Sequence, residues 1–381
     1  MKKIHSQPSW ELSVDGVEAA VTRLGGHLGP VRFRLGDRWV EPFSVAPWSG
    51  EKLAPGTPSI LKALRGDFFC LPFGVDRKGY RGEVHPPHGE TCNAEWSQEA
   101  HYSEPEGVGL HLSLKTEARP GLVDKYVHLR TGQSVVYLQH VVSGMSGKMT
   151  FGHHATLKFP DYDLSGNIST SPIRFAQVAP QPFENPAAGG YQSLQPGAEF
   201  SDLAEVPSVF GGTADLSSYP ARRGFEDLVM MVHESETDFA WTAVVFPREG
   251  WLWFALKDPR VLRSTVCWMS NGGRHYAPWN GRHVNVMGLE DVTAYFDYGI
   301  GASVRPNAVN SHGYPTAISL SAKHPLRVNY IMGVCAVPRG FSRVKEILPE
   351  SDRITLVSDE GRRISTSVNT DFLRTSEPGA F

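Results

Sequence analysis

Hydrophobic and polar residues alternate along many short stretches of the chain, and the alternation predicts β-strands. Trp10-Glu11-Leu12-Ser13-Val14 and Leu110-His111-Leu112-Ser113-Leu114 put every second side chain on one face, the two-residue period of a half-buried strand. Val135-Val136-Tyr137-Leu138 is apolar without a break, as in a strand buried on both faces. Residues 228–232, 240–246, 251–256 and 354–357 read as further strands. Turn chemistry separates these runs, with 38 glycines and 28 prolines spread through the chain. The pattern predicts a mostly β protein, an antiparallel sandwich rather than βαβ units. One segment reads as a helix: Phe341, Val344, Ile347 and Leu348 are spaced along 341–348, and Pro349 stops the run.

Between about 160 and 225 the periodicity fades into Pro, Gly, Ser and Ala, which predicts a long surface excursion, either a lid over a cleft or an irregular insertion. A C-terminal extension is expected after about 300, with closing strands and a hairpin around Glu360-Gly361. One domain over 1–381 is the simplest organisation, because β-sandwiches often run well past average domain length.

Composition narrows the class. The 381 residues are 40% hydrophobic, enough for a large core without disulfide or metal support. Charges of both signs are scattered and sum to −3, which argues against nucleic-acid and membrane partners. Cys70, Cys92, Cys267 and Cys335 form no CxxC pair, and Cys70 and Cys335 sit in apolar runs as small hydrophobes. The first residues, MKKIHSQPSWELSV, contain no apolar signal-peptide core, and no apolar run is long enough to span a membrane. A cytoplasmic location is the expectation.

Four polar clusters interrupt the strand-like sequence: Leu64 to Gly74, His85 to Trp96, Phe151 to Leu157, and Val284 to Val292. Their contents resemble the galactose-mutarotase superfamily, the aldose 1-epimerases, and most closely hexose-6-phosphate mutarotase-like proteins. Those proteins carry an RGG-P-x-C-F-P-x-F-G stretch, then P-x-H-G-F-A-R-x-x-x-W. Here Arg65-Gly66 through Gly74 is followed by Pro87-His88-Gly89 through Trp96, in the same order. Val266-Cys267-Trp268 resembles the family's late strand, and Gly288-Leu289-Glu290 the strand that delivers its catalytic glutamate.

The resemblance implies an antiparallel β-supersandwich with a concave face for a small-molecule sugar. It implies that Glu290 is the base at the anomeric hydroxyl and His154 the acid at the ring oxygen. His88 would hydrogen-bond the ring-opening region and Arg65 the sugar hydroxyls, with Glu90 a further substrate-binding candidate. His153 stays an alternative to His154, because neighbours on a strand point to opposite faces. Trp96, Trp268 and Trp279 are candidate platforms for the C–H faces of a sugar. The chemistry suits these residue types: exchange of anomers needs one acid and one base near neutral pH, and no cofactor or metal.

Other readings compete. Glu290 could pair with Arg282, and Arg65 with Asp67 or Glu90. Where the sugar-phosphate mutarotases have Phe-x-Arg after His-Gly, this chain has Glu90-Thr91-Cys92, which disfavours a phosphate dianion and points to a neutral or amino sugar. Asp215 and Asp227 are candidates for a family aspartate that otherwise has no match. His85, His88 and Glu90 with His153 or His154 offer a metal-site alternative for isomerase or lyase chemistry, which Pro86 and Pro87 and strand geometry disfavour. A non-catalytic sugar binder is the third reading.

Overall fold

The computed structural model describes residues 1–377 and 379. Its long apolar runs become the interior of two large antiparallel sheets. Ala240–Phe246, Trp251–Lys257, Ser264–Asn271 and Val286–Thr293 are buried at every position. The nine-stranded sheet has the order Ser218–Tyr219, Gly166–Thr170, Ala240–Phe246, Trp251–Lys257, Leu326–Ala336, Val135–Ser143, Gly121–Arg130, Gly107–Thr116 and Ser97–Glu104. The eight-stranded sheet runs Glu199–Phe200, Ile173–Val178, Phe225–His233, Ser264–Asn271, Val286–Thr293, Phe151–His153 and Phe69–Cys70, with Ala155–Lys158 also paired to Val286–Thr293.

The main core lies between these sheets. Leu110, Leu112, Leu114 and Leu138 from the first meet Phe69, Phe151, Met231 and Leu289 from the second. A five-stranded N-terminal sheet, from Lys2–Ile4 to Arg38–Val40, adds Trp10, Leu12, Val21 and Phe33 to it. Burying each such side chain contributes about 1.5–3 kcal/mol before chain entropy is subtracted. The alternation expected around Trp10 and Leu110 is present: Leu110, Leu112 and Leu114 are buried, while His111 and Ser113 are half-buried.

The expected helix over 341–348 is not there. Val344–Pro349 is a strand of a three-stranded C-terminal sheet with Arg353–Ser358 and Arg363–Ser367. A bulge between Val344 and Glu346 shifts the register, so Val344 and Ile347 both turn inward although they stand three positions apart. That bulge imitates helical spacing. The C-terminal sheet covers the outer face of the nine-stranded sheet, with Ile347, Ile354 and Leu356 against Tyr137, Trp241 and Phe254. The hairpin around Glu360-Gly361 is present, with Gly361 at positive φ.

Two boundaries also move. Gly166–Thr170, Ile173–Val178 and Ser218–Tyr219 belong to the two main sheets, and the irregular stretch from about 180 to 217 itself returns to the eight-stranded sheet at Glu199–Phe200. Leu326–Ala336 sits in the middle of the nine-stranded sheet, so residues past 300 complete the body of the fold. Among the described residues, no helix is long and apolar enough to cross a membrane.

Candidate active site

The face of the eight-stranded sheet turned away from the main core carries the chemistry. Strand register sets which side chains share it: Glu290 opposes Val266, Gly288 opposes Trp268, and Trp268 opposes Leu228. Of these, Glu290, Trp268 and Leu228 border a cavity of about 210 Å³ that Ile60, Leu61, Phe68, His88, His154 and Trp279 also line.

Glu290 Oε1 lies 3.2 Å from His154 Nε2, and both side chains are almost fully buried. His154 falls between Phe151–His153 and Ala155–Lys158, where its backbone N–H donates to Phe68 O and to Asp67 Oδ1 at 3.1 Å. Its ring stacks on Phe68 at 4.4 Å. Burial, with repulsion from Asp297, holds the Glu290 carboxyl well above the usual carboxylate range, while Arg274 pulls the other way. Burial and the nearby His88 hold His154 well below the usual histidine range. Both shifts favour the neutral forms, a carboxylic acid beside a neutral imidazole.

His88 reaches the cavity from a tightly held loop. Its φ is +58°, and Gly89 follows at +84°, where a Cβ would sit 2.0 Å from Leu71 O. Cys92 Sγ donates to His88 O at 3.0 Å, and Asn93 Nδ2 donates to Pro87 O and Gly89 O, each at 2.7 Å. The cysteine found in place of an arginine therefore braces the loop. Burial first, and Arg274 second, lower His88 to about 4.

The structure separates the remaining sequence candidates. Arg65 is buried among backbone carbonyls, donating to Ala63 O, Ile4 O and His5 O, so it neither lines the cavity nor pairs with Asp67 or Glu90. His153 points into the main core, where Nδ1 bonds Asp67 at 2.9 Å and the ring stacks on Tyr330. Glu90 accepts from the backbone of Glu117 and Ala118. Trp96 donates to Thr91 O within the core, whereas Trp268 and Trp279 both line the cavity. Arg282 pairs with Glu51, not with Glu290. Asp227 is occupied by Ser193 and Leu194, and Asp215 is exposed. His85 bonds Glu83, so His85, His88 and Glu90 do not converge, and among the described residues no three such side chains are grouped for a metal.

Sequence reasoning missed Arg274 and Asp297. The Arg274 guanidinium lies 4.6 Å from the Trp279 ring centre and 5.3 Å from that of Trp268. Its Nε donates to Glu184 at 2.6 Å, with Glu226 at 3.9 Å. Burial raises Glu226 to about 7, opposed by Arg274. Asp297 lines the cavity, and burial raises it too. Weak signals existed: Gly272-Gly273-Arg274 ends a buried strand, and Asp297 interrupts an aromatic run from Tyr295 to Tyr298.

No protein-family model and no curated protein sequence matches the chain. Solved structures do match. A protein assigned as an aldose 1-epimerase from Escherichia coli K12 superposes with a TM-score of 0.58 at 14% identity, over 87% of this chain and 100% of that one. Another so assigned, from Klebsiella pneumoniae, gives 0.61 at 12% identity, over 88% and 81%. A galactose mutarotase-related enzyme from Lactobacillus acidophilus gives 0.55 at 12%, over 87% and 98%. At such identities the likeness is one of architecture, and this chain has the galactose mutarotase-like fold of the aldose 1-epimerase structures.

Proposed function

We propose that the cavity binds an unphosphorylated monosaccharide and interconverts its anomers by acid–base catalysis. The observation that carries this reading is the buried contact of Glu290 with His154 at the cavity wall. Ring opening moves one proton from the anomeric hydroxyl to the ring oxygen while the C1–O5 bond breaks. Rotation about C1–C2 and reclosure return the other anomer. A pair that carries one proton between a carboxyl and an imidazole suits this exchange, since it accepts at one oxygen and donates at the other. Glu290 acts as the base and His154 as the acid after the pair's own proton shifts from carboxyl to imidazole. His88 stands beside them, its ring centre 5.4 Å from that of His154.

The charge of the site supports a ligand without phosphate. Arg274 is the cation of the lining, and Glu184 already engages it, with Glu226 close by. Glu290 and Asp297 add two more acidic groups to the wall. With its lining cation already engaged, the wall offers a phosphate dianion no free positive charge. Trp268 and Trp279 offer apolar surface to sugar C–H faces.

Exchange NMR on a broad panel of neutral aldoses tests the reading. Protein at micromolar concentration is expected to speed α/β exchange of at least one sugar well above the buffer rate. Unchanged rates across the panel would rule it out.

A further inference from the structure

Most of the cavity wall is apolar, the indole N–H groups of Trp268 and Trp279 aside, and that of Trp268 is already given to Glu226. Its polar side chains are His88, His154, Arg274, Glu290 and Asp297; the rest of the side-chain wall is hydrocarbon or aromatic. Ile60 and Leu61 come from the short helix Ser59–Ala63, Leu64 follows it, and Leu228 comes from strand Phe225–His233. Helix Ser59–Ala63 is tied to the His88 loop, because the Ile60 backbone N–H donates to Asn93 Oδ1 at 2.9 Å, and Asn93 in turn holds Pro87 and Gly89. The apolar wall is thus fixed relative to the acid–base pair.

The wall begins beside the acid. Phe68 lines the cavity and stacks on His154 at 4.4 Å. In a pyranose the carbon bonded to the ring oxygen carries the exocyclic substituent, so a ring oxygen addressed by His154 puts that substituent within reach of the apolar wall around the acid. We infer that the preferred substrate is a deoxy sugar, with a methyl group where common hexoses carry a hydroxymethyl group. This inference rests on the anomer-exchange reading of the same site.

A hydroxymethyl group placed there gives up its water and gains no partner, whereas a methyl group gives up nothing polar. An apolar pocket rejects a ligand that merely adds a hydroxyl by about 10²-fold at most. The preference is therefore expected to be finite, about 10- to 100-fold in kcat/KM.

Matched pairs provide the test: D-galactose against 6-deoxy-D-galactose, D-glucose against 6-deoxy-D-glucose, and L-mannose against 6-deoxy-L-mannose, all followed by exchange NMR. Within the most active pair, the deoxy member is expected to be exchanged about 10- to 100-fold more efficiently. The half-buried Leu61 provides a variant, Leu61→Gln, that places a hydrogen-bonding group on the wall at little risk to the fold. It is expected to shrink the preference at least several-fold by improving the hydroxylated partner. Equal or better turnover of the hydroxylated sugars by the wild type overturns the deoxy-sugar inference and leaves anomer exchange standing. A preference unaltered by Leu61→Gln also counts against the apolar wall as its cause. No exchange of any sugar overturns both.

Discussion

Gly288 leaves the space that Glu290 occupies: a Cβ at position 288 would lie 2.5 Å from Glu290 Oε1 and 3.2 Å from Trp268 Cβ. Both residues sit on Val286–Thr293 with one residue between them, so their side chains share a face. The strand supplies a carboxylate and, two residues earlier, the room for it. Gly288→Ala should push the carboxylate out of line with His154. Displacement of a catalytic group by about 1 Å costs on the order of 10²-fold in rate. Anomer-exchange kinetics together with thermal melting would check this, with a large drop in kcat and a folded protein as the expected result.

Asp67 acts from behind the sheet. One carboxylate oxygen accepts the His154 backbone N–H at 3.1 Å and the other bonds His153 Nδ1 at 2.9 Å, with Asp67 itself fully buried. Asp67→Ala leaves the buried His153 Nδ1 unpaired, at about 1–3 kcal/mol, leaves the His154 N–H with Phe68 O alone, and should lower the denaturation midpoint. Asp67→Asn retains an acceptor and should fold, but with His154 less well held. Its kcat is expected to fall by about 10- to 100-fold, the scale seen when a partner that orients a functional side chain is lost. A loss in KM alone, with kcat unchanged, would count against a positioning role.

Histidine burial makes the fold acid-sensitive. Burial lowers His27, His233 and His283 to about 3 and His88 to about 4, and it holds His140 and His154 well below the usual range. In the unfolded chain each of these takes a proton near pH 6.5; in the folded chain it does not. Their contribution to stability is therefore complete above pH 6.5 and is lost as pH falls below it. The raised carboxyls Glu226, Glu290 and Asp297 oppose this by binding protons more tightly when folded. The lowered histidines outnumber the raised carboxyls, so the net effect is a loss of stability as pH falls. Urea melts from pH 7.5 to 4.5 should show a steep fall in stability below pH 6.5, and a flat profile would disagree.

Much of the architecture could be read from hydrophobic period, because strands buried on one or both faces leave the pattern in the chain. The helix expected at 341–348 failed for a definable reason: the bulge between Val344 and Glu346 turns a two-residue period into a three-residue one. At the site, the order of the motif islands located His88, His154 and Glu290, and the alternation of neighbouring side chains separates His154 from His153. Arg65 was misleading, since an arginine that ties backbone carbonyls together looks the same in sequence as one that binds a ligand. Arg274 is defined by contacts with Glu184 and Phe183, nearly a hundred residues away on a segment with no periodicity, so no local pattern announced it.

Substitution of Glu290 by glutamine is the most direct test of the acid–base pair. Glutamine keeps the shape and hydrogen-bonding reach of the carboxyl but cannot exchange the proton. Anomer exchange by Glu290→Gln and by the wild type should be compared on the best sugar of the panel, with sugar binding measured in parallel by calorimetry. The account predicts that binding is kept while kcat falls about 10²–10⁴-fold, the usual contribution of a general acid or base. Exchange at the wild-type rate in Glu290→Gln would contradict it.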